Sequence, residues 1–219
     1  MIQHVHVTAA LSMVIFVVGC ESKRLDPDDF PRKELADVVV ESPSPASRTP
    51  TPPNPNGNSA IAASPPGGEL REAALQGDLT AVRAALEGGE PAHRPDEQQR
   101  TPLHLASFDG HAEVVSELLN AAAKVDHRDS FGRTALMYAS TADNVETVKL
   151  LLDAGADPNL VDSDENFTPL MFAAAEGQLG VCRLLLDGGA DVSAVDVDGE
   201  SALDFAKAGG HEEVVSLLE

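Results

Sequence analysis

Tryptophan is absent, and aromatic residues make up only 4% of the 219-residue chain. A core built on large rings is thereby excluded. The apolar content rests on Ala, Leu and Val, which suit thin layers of small helices. Two cysteines, Cys20 and Cys182, are too few for a disulfide framework or for structural zinc, which needs four ligands. Cations are scarce as well: 15 Lys and Arg stand against 36 Asp and Glu, a formal net charge of -21 at pH 7. Phosphate contacts need clustered cations, so nucleic acids and anionic membrane surfaces are excluded as partners. No Gly-rich phosphate loop, paired-carboxylate arrangement or Ser/His/Asp constellation stands out. The expectation is a non-enzyme with no cofactor and no metal, in one or two domains.

What is there divides the chain into three parts. Residues 1–19 contain no Asp, Glu, Lys or Arg, and Val5–Val18 is largely apolar. That stretch is short of the ~20 residues a membrane helix needs and fits the apolar region of a secretory signal peptide. It ends Val17-Val18-Gly19-Cys20, which resembles the lipobox of bacterial lipoproteins. The resemblance implies cleavage before Cys20 and lipidation of its thiol, with the folded part in the periplasm. Glu21, where an Asp would favour inner-membrane retention, leans towards the outer membrane. One departure is an n-region whose cations are limited to the α-amine, His4 and His6. An uncleaved anchor and an ordinary secretory signal with an incidental Cys20 are the rival readings.

Residues 20–67 read as a lipidated cysteine followed by a disordered tether. From Glu41 to Gly67, 15 of 27 residues are Pro, Gly or Ser. Proline removes amide donors and fixes φ, so neither helix nor sheet propagates, and too few apolar residues exist to offset the ordering entropy. Such a tether reaches on the order of 40 Å as a flexible coil, or ~150 Å if polyproline-like.

From residue 68 the chain repeats itself. Thr101-Pro102-Leu103-His104-Leu105-Ala106 recurs as Thr134-Ala135-Leu136-Met137-Tyr138-Ala139, Thr168-Pro169-Leu170-Met171-Phe172-Ala173 and Ser201-Ala202-Leu203-Asp204-Phe205-Ala206, at spacings of 33, 34 and 33 residues. Counting back from Thr101 gives a degenerate first unit at Gly68, so units start near 68, 101, 134, 168 and 201. Thr and Ser supply N-caps, and Pro102 and Pro169 fall at the first helical position. Gly155 and Gly189 supply a left-handed residue after the second helix. Ala122 stands at that position in the second unit. Asp143 replaces the glycine found at Gly77, Gly110, Gly177 and Gly210, and is expected to adopt the same left-handed conformation. Leu160–Phe167 carries one extra residue, which predicts an altered loop there.

Residues 68–219 resemble the ankyrin repeat family. The resemblance implies an all-α solenoid of stacked helix-turn-helix units joined by short β-hairpin loops. It also implies a protein partner bound through hairpin tips and the concave side of the first helices. Mapped onto this chain, the partner-facing residues include Phe108, Asp109, Phe131, Asp164, Glu165, Glu176, Val197 and Asp198. Phe108 and Phe131 are either interface anchors or rings folded onto neighbouring units. His104 is expected to hydrogen-bond near Thr101, and Cys182 to be a buried structural thiol.

Acidity is concentrated late in the chain. Asp153 to Glu165 holds five carboxylates, and Asp187 to Asp204 holds six, with no Lys or Arg in either stretch. This is either a solvated surface or a field that steers a basic partner. The functional expectation is a monomeric, lipid-anchored binding module of the envelope, with the membrane touched only through the anchor. The alternative is an inhibitor or immunity-type protein whose acidic surface masks a basic toxin or enzyme.

Overall fold

The computed structural model describes residues 68–219. The signal-peptide, Cys20 and tether expectations lie outside the described residues. Among the described residues ten helices fall into five consecutive pairs: α1 (Glu69–Gln76) with α2 (Leu79–Glu87), α3 (Pro102–Phe108) with α4 (Ala112–Asn120), α5 (Ala135–Ala139) with α6 (Val145–Asp153), α7 (Pro169–Ala175) with α8 (Leu179–Asp187), and α9 (Ala202–Gly209) with α10 (Glu212–Leu218). No strand forms among the described residues, and Val195 and Ser201 make one isolated antiparallel bridge.

The first helices pack on one another in succession, the second helices do the same, and each first helix packs on its own second helix. The repeating Leu and Ala positions fill the seams: Leu70, Leu103, Leu136 and Leu170 are buried, as are Ala73, Ala106, Ala139 and Ala173. In the second layer Val115, Val148 and Cys182 occupy equivalent buried positions. Cys182 therefore serves as a small apolar side chain, and burial pushes its thiol up to about 11, far from thiolate reactivity.

Thr134, Thr168 and Ser201 cap α5, α7 and α9 through side-chain oxygens that accept from Met137, Met171 and Asp204 amides at 3.4, 3.2 and 3.4 Å. The third helical residue returns the favour. The Thr101 amide donates to His104 Nδ1 at 3.1 Å, the Thr134 and Thr168 amides to methionine sulfur at 3.4 Å, and the Ser201 amide to Asp204 at 2.9 Å. The expected placement of Pro102 and Pro169 at the start of their helices also holds.

Side chains at the entry to the second helices stitch the units together. His111 Nε2 lies 3.1 Å from the Leu75 carbonyl, Asn144 Nδ2 donates to Phe108 O at 3.2 Å, and His211 Nε2 lies 2.9 Å from Ala175 O. Each stitch lies over a glycine of the preceding unit. A Cβ at Gly77 would stand 2.6 Å from His111 Nδ1, and Cβ atoms at Gly110 and Gly177 would collide with Asn144 and His211 in the same way.

The third unit departs from this rule and corrects the expectation for Asp143. The described non-glycine residues with positive φ are Gln99, Ala122 and Asn166, so Asp143 does not take the left-handed conformation. A Cβ makes that conformation unfavourable. Instead α5 stops early, and the Ser140 and Thr141 hydroxyls donate to the carbonyls of Leu136 at 2.7 Å and Tyr138 at 2.9 Å. Gln178, the residue placed to stitch this seam, forms no side-chain hydrogen bond among the described residues.

Ala122 is left-handed, with φ of 59°, where Gly155 and Gly189 have 88° and 91°. Its amide bonds Leu119 O at 3.0 Å and the Ala123 amide bonds Leu118 O at 3.0 Å, so the helix ends in the same wrapped turn without the glycine. Ala122→Gly is therefore expected to stabilise the protein by up to ~1 kcal/mol, by relieving the Cβ clash of a left-handed alanine. Urea unfolding of the two proteins measures this, and a lower midpoint for the glycine variant would contradict it.

Candidate partner-binding site

Between units the chain turns through four tips, each closed by an aspartate. Asp96 Oδ1 accepts from the Gln98 and Arg100 amides at 2.9 and 2.8 Å. Asp129 Oδ1 accepts from Phe131 and Arg133 at 2.9 and 2.8 Å, and Asp196 Oδ1 from Asp198 and Glu200 at 3.0 and 2.8 Å. The longer loop behaves as its extra residue predicts. Asp162 Oδ1 reaches the Glu165 and Phe167 amides at 3.2 and 3.0 Å, one residue further along, and Asn166 takes φ of 60°.

The tips are also bonded to one another. The Ser130 amide donates to Gln98 O at 2.9 Å, Ser163 to Phe131 O at 2.8 Å, and Val197 to Glu165 O at 3.0 Å. A continuous row of tips results, held by backbone, with side chains at fixed intervals. This arrangement corrects the count of surface acid. Asp162 and Asp196 are 2% and 7% exposed because their carboxylates close turns, so neither is presented to a partner.

The remaining partner-facing residues are not gathered into one pocket; they are spread along the stack. Asp164 and Asp198 stand exposed on tips, and Asp109 is exposed at the end of α3. Glu165 is half-buried on its tip. Glu176 is half-buried at the end of α7; burial raises its carboxyl above the usual range, and the nearby His211 pulls it partly back. Phe108 is half-buried, with its ring edge-on to Tyr138 at 6.1 Å. Phe131 is half-buried beneath the Arg133 guanidinium, 5.6 Å from the ring centroid. Both rings are thus engaged with the next unit or its entry, while keeping part of their surface in solvent.

Sequence reasoning missed the groups behind these residues. Tyr138, Phe172 and Phe205 recur at one position of the first helices and are largely buried. Arg133 lies between the Phe131 and Phe172 rings, at 5.6 and 5.5 Å, and its Nε is 3.6 Å from Asp162. Phe167 packs against Phe172 at 5.4 Å and Phe205 at 4.9 Å. The signal was available in the aromatic residues that share the phase of the Leu and Ala repeat. Tyr138 additionally donates its hydroxyl to Asp129 Oδ2 at 2.8 Å, which ties the first helix to the tip.

His104 is where its expected role places it. It is 1% exposed, its Nδ1 accepts from Thr101, and its Nε2 lies 3.1 and 3.2 Å from the His127 and Arg133 carbonyls. That partner set requires a neutral ring with the proton on Nε2. Among the described residues, no group of three or more His, Cys, Asp or Glu is arranged to hold a metal, and no helix is long and apolar enough to cross a membrane.

A stack of helix pairs joined by hydrogen-bonded tips defines a repeat protein with an extended side-chain array. The chain belongs to the ankyrin repeat family: the family model for ankyrin repeats (3 copies) matches residues 70–162 and 155–219. Among curated proteins it is 46% identical over 61 residues to Ankyrin repeat and KH domain-containing protein 1 of Homo sapiens, covering 28% of this chain and 2% of that protein. It is 40% identical over 83 residues to the Probable E3 ubiquitin-protein ligase XBOS32 of Oryza sativa subsp. japonica, covering 37% and 16%. It is 34% identical over 89 residues to Putative glutaminase 2 of Caenorhabditis elegans, covering 36% and 15%. The chain thus spans less than a fifth of each of these relatives, and the similarity to enzymes is confined to repeat regions. Ankyrin repeats make it a protein-protein interaction module.

Burial holds the folded His104 imidazole down to about 4, against 6.5 for the free side chain; the Asp129 charge opposes that shift only in part. The unfolded chain therefore takes up a proton that the folded chain refuses. Stability from this group is fully present above pH 6.5 and falls by roughly 3 kcal/mol as pH drops through 4. His104→Met, which installs the residue native to the third and fourth units, is expected to abolish the decline between pH 6.5 and 5. Urea midpoints at three pH values test this; an unchanged slope would assign the decline elsewhere.

Proposed function

We propose that the chain is an ankyrin repeat lipoprotein of the bacterial envelope, with five repeats starting near residues 68, 101, 134, 168 and 201. Cys20 carries the lipid, residues 20–67 form the tether, and the folded part works in the periplasm, with the outer membrane favoured. It acts as a monomer that binds a protein through the tips and the concave side of the first helices. Phe108, Asp109, Phe131, Asp164, Glu165, Glu176 and Asp198 are the contact residues.

The observation that carries the binding reading is the row of tips bonded backbone to backbone. It holds Phe131, Asp164, Glu165 and Asp198 in fixed register, so little ordering entropy remains to be lost on association. The net charge of -21 supports a basic partner, since complementary fields act mainly on the rate of encounter. An inhibitor of a basic toxin or enzyme would use the same surface. Loss of the partner's activity on binding distinguishes it from a scaffold.

Two measurements test the proposal. Labelling cells with radioactive palmitate is expected to mark the chain but not Cys20→Ser, and equal labelling would remove the lipoprotein assignment. Cross-linking in cells, with mass spectrometry, is expected to recover one dominant basic envelope protein that Phe108→Ala/Phe131→Ala loses. With that partner purified, Asp164→Lys/Glu165→Lys should lower the association rate and flatten its dependence on salt. Unchanged kinetics would remove steering from the account.

A further inference from the structure

The large apolar side chains exposed among the described residues are Val145, Val192, Val195 and Val197, and the last three lie within one short loop. Val195 and Val197 are 52% and 54% exposed and flank the buried Asp196. Counted from the aspartate that closes each tip, the position of Val195 holds Pro95, Arg128 and Val161 in the earlier tips, and the position of Val197 holds Glu97, Ser130 and Ser163. Glu97, Ser130 and Ser163 are all exposed, so the position of Val197 faces solvent in the interior of the stack as well, whereas at the position of Val195 Pro95 and Val161 are half-buried and Arg128 is exposed. The last tip is therefore distinguished by an exposed Val197 where its neighbours place polar side chains, beside a Val195 that lies more open than its counterparts Pro95 and Val161.

Carboxylates surround the pair. Asp198 is exposed and Glu200 half-buried, with Asp204 exposed at the entry to α9. No Lys or Arg falls between Arg183 and Lys207. The Glu200 carboxyl is raised, first by partial burial and then by repulsion from Asp196, Asp198 and Asp204, and the nearest cation, Lys207, acts on Asp204 at the edge of the group. An apolar surface ringed by one sign of charge is matched by an apolar surface ringed by the other.

We propose that the tip Val195–Glu200 docks an extended, cationic segment of a partner protein. Its branched apolar side chains cover Val195 and Val197, and its Lys or Arg side chains meet Asp198 and Glu200. Alternate residues of an extended chain share one face, so a segment that alternates apolar and cationic residues offers both kinds of side chain to the tip. This rests on reading the tips as a partner-binding surface, and it names which tip anchors the partner and by what chemistry.

The test uses the full chain, isotope-labelled, titrated with two synthetic ten-residue peptides. One alternates Lys with Val, and the other alternates Lys with Ser. The expected result is saturable binding of the first peptide, with NMR shift changes centred on residues 195–200. The Lys/Ser peptide, and the Lys/Val peptide on Val195→Thr/Val197→Thr, should each bind about tenfold more weakly, as expected for losing roughly 1.4 kcal/mol of apolar contact. Both valines lie in solvent, so the variant is expected to keep the parent's urea midpoint. Equal affinity for the two peptides overturns the inference by reducing binding to charge alone. Shift changes centred on Phe108 and Phe131 overturn it while leaving the wider tip-and-helix reading intact, whereas failure of the cellular cross-linking counts against that wider reading.

Discussion

One buried carboxylate per turn organises the surface of this protein. Asp129, Asp162 and Asp196 are buried and Asp96 nearly so, and each collects the backbone amides of its own tip. A charged side chain is expensive to bury without donors, and these donors are supplied by residues two to five positions further on. Tip, cap and first helix are thereby locked in one geometry, because the residue that follows the tip is the Thr or Ser that starts the helix. The bonds from Ser130, Ser163 and Val197 to the preceding tip then carry that geometry along the stack. An extended binding surface arises without any strand pairing beyond a single bridge.

Behind the tips, stability comes from repetition. Each helix buries its Leu, Ala or Val stripe against the equivalent helix of the neighbouring unit, so no single unit has a core of its own. Polar stitches add specificity of register. His111, Asn144 and His211 each place a side chain over a glycine of the preceding unit and satisfy a carbonyl at the end of its first helix. The glycine and the stitch are one device, since a Cβ on one partner removes the space for the other.

Much of this was legible from residue spacing. The phase of the Thr-Pro-Leu motif and of Gly155 and Gly189 located the helix pairs, the caps at Thr134, Thr168 and Ser201, and the left-handed residues that follow the second helices. The burial of Cys182 followed from the same phase, and the pairing of Thr101 with His104 from the resemblance to the ankyrin repeat family. Asp143 was misjudged because the conformation of a turn depends on what packs over it. Hydroxyls at Ser140 and Thr141 offered a route that spacing does not display. Asp162 and Asp196 looked like surface charge because composition does not distinguish an aspartate that closes a turn from one that faces water. The aromatic row of Tyr138, Phe172 and Phe205 lay in the repeat phase but was hidden behind the more regular Leu and Ala.

The seam between the third and fourth units has a mechanical consequence. It lacks the glycine turn, and Gln178 contributes no stitch; it is held instead by apolar packing, the Ser163–Phe131 backbone bond, the Asp157 amide on Asp126, the Arg128 guanidinium on Val161 O, and Arg133 stacked on Phe172 beside Asp162. A stack in which units grip mainly their neighbours bends by the sum of small motions at its seams, and compliance concentrates where directional bonds are fewest. At this seam the bonds gather at the tip end, while the opposite end, at the turn between the helices, lacks the stitch that the other seams have. The longer Asp162 loop sits at the pinned end, so whatever opening the seam allows at its turn end leaves the register of the tips in place.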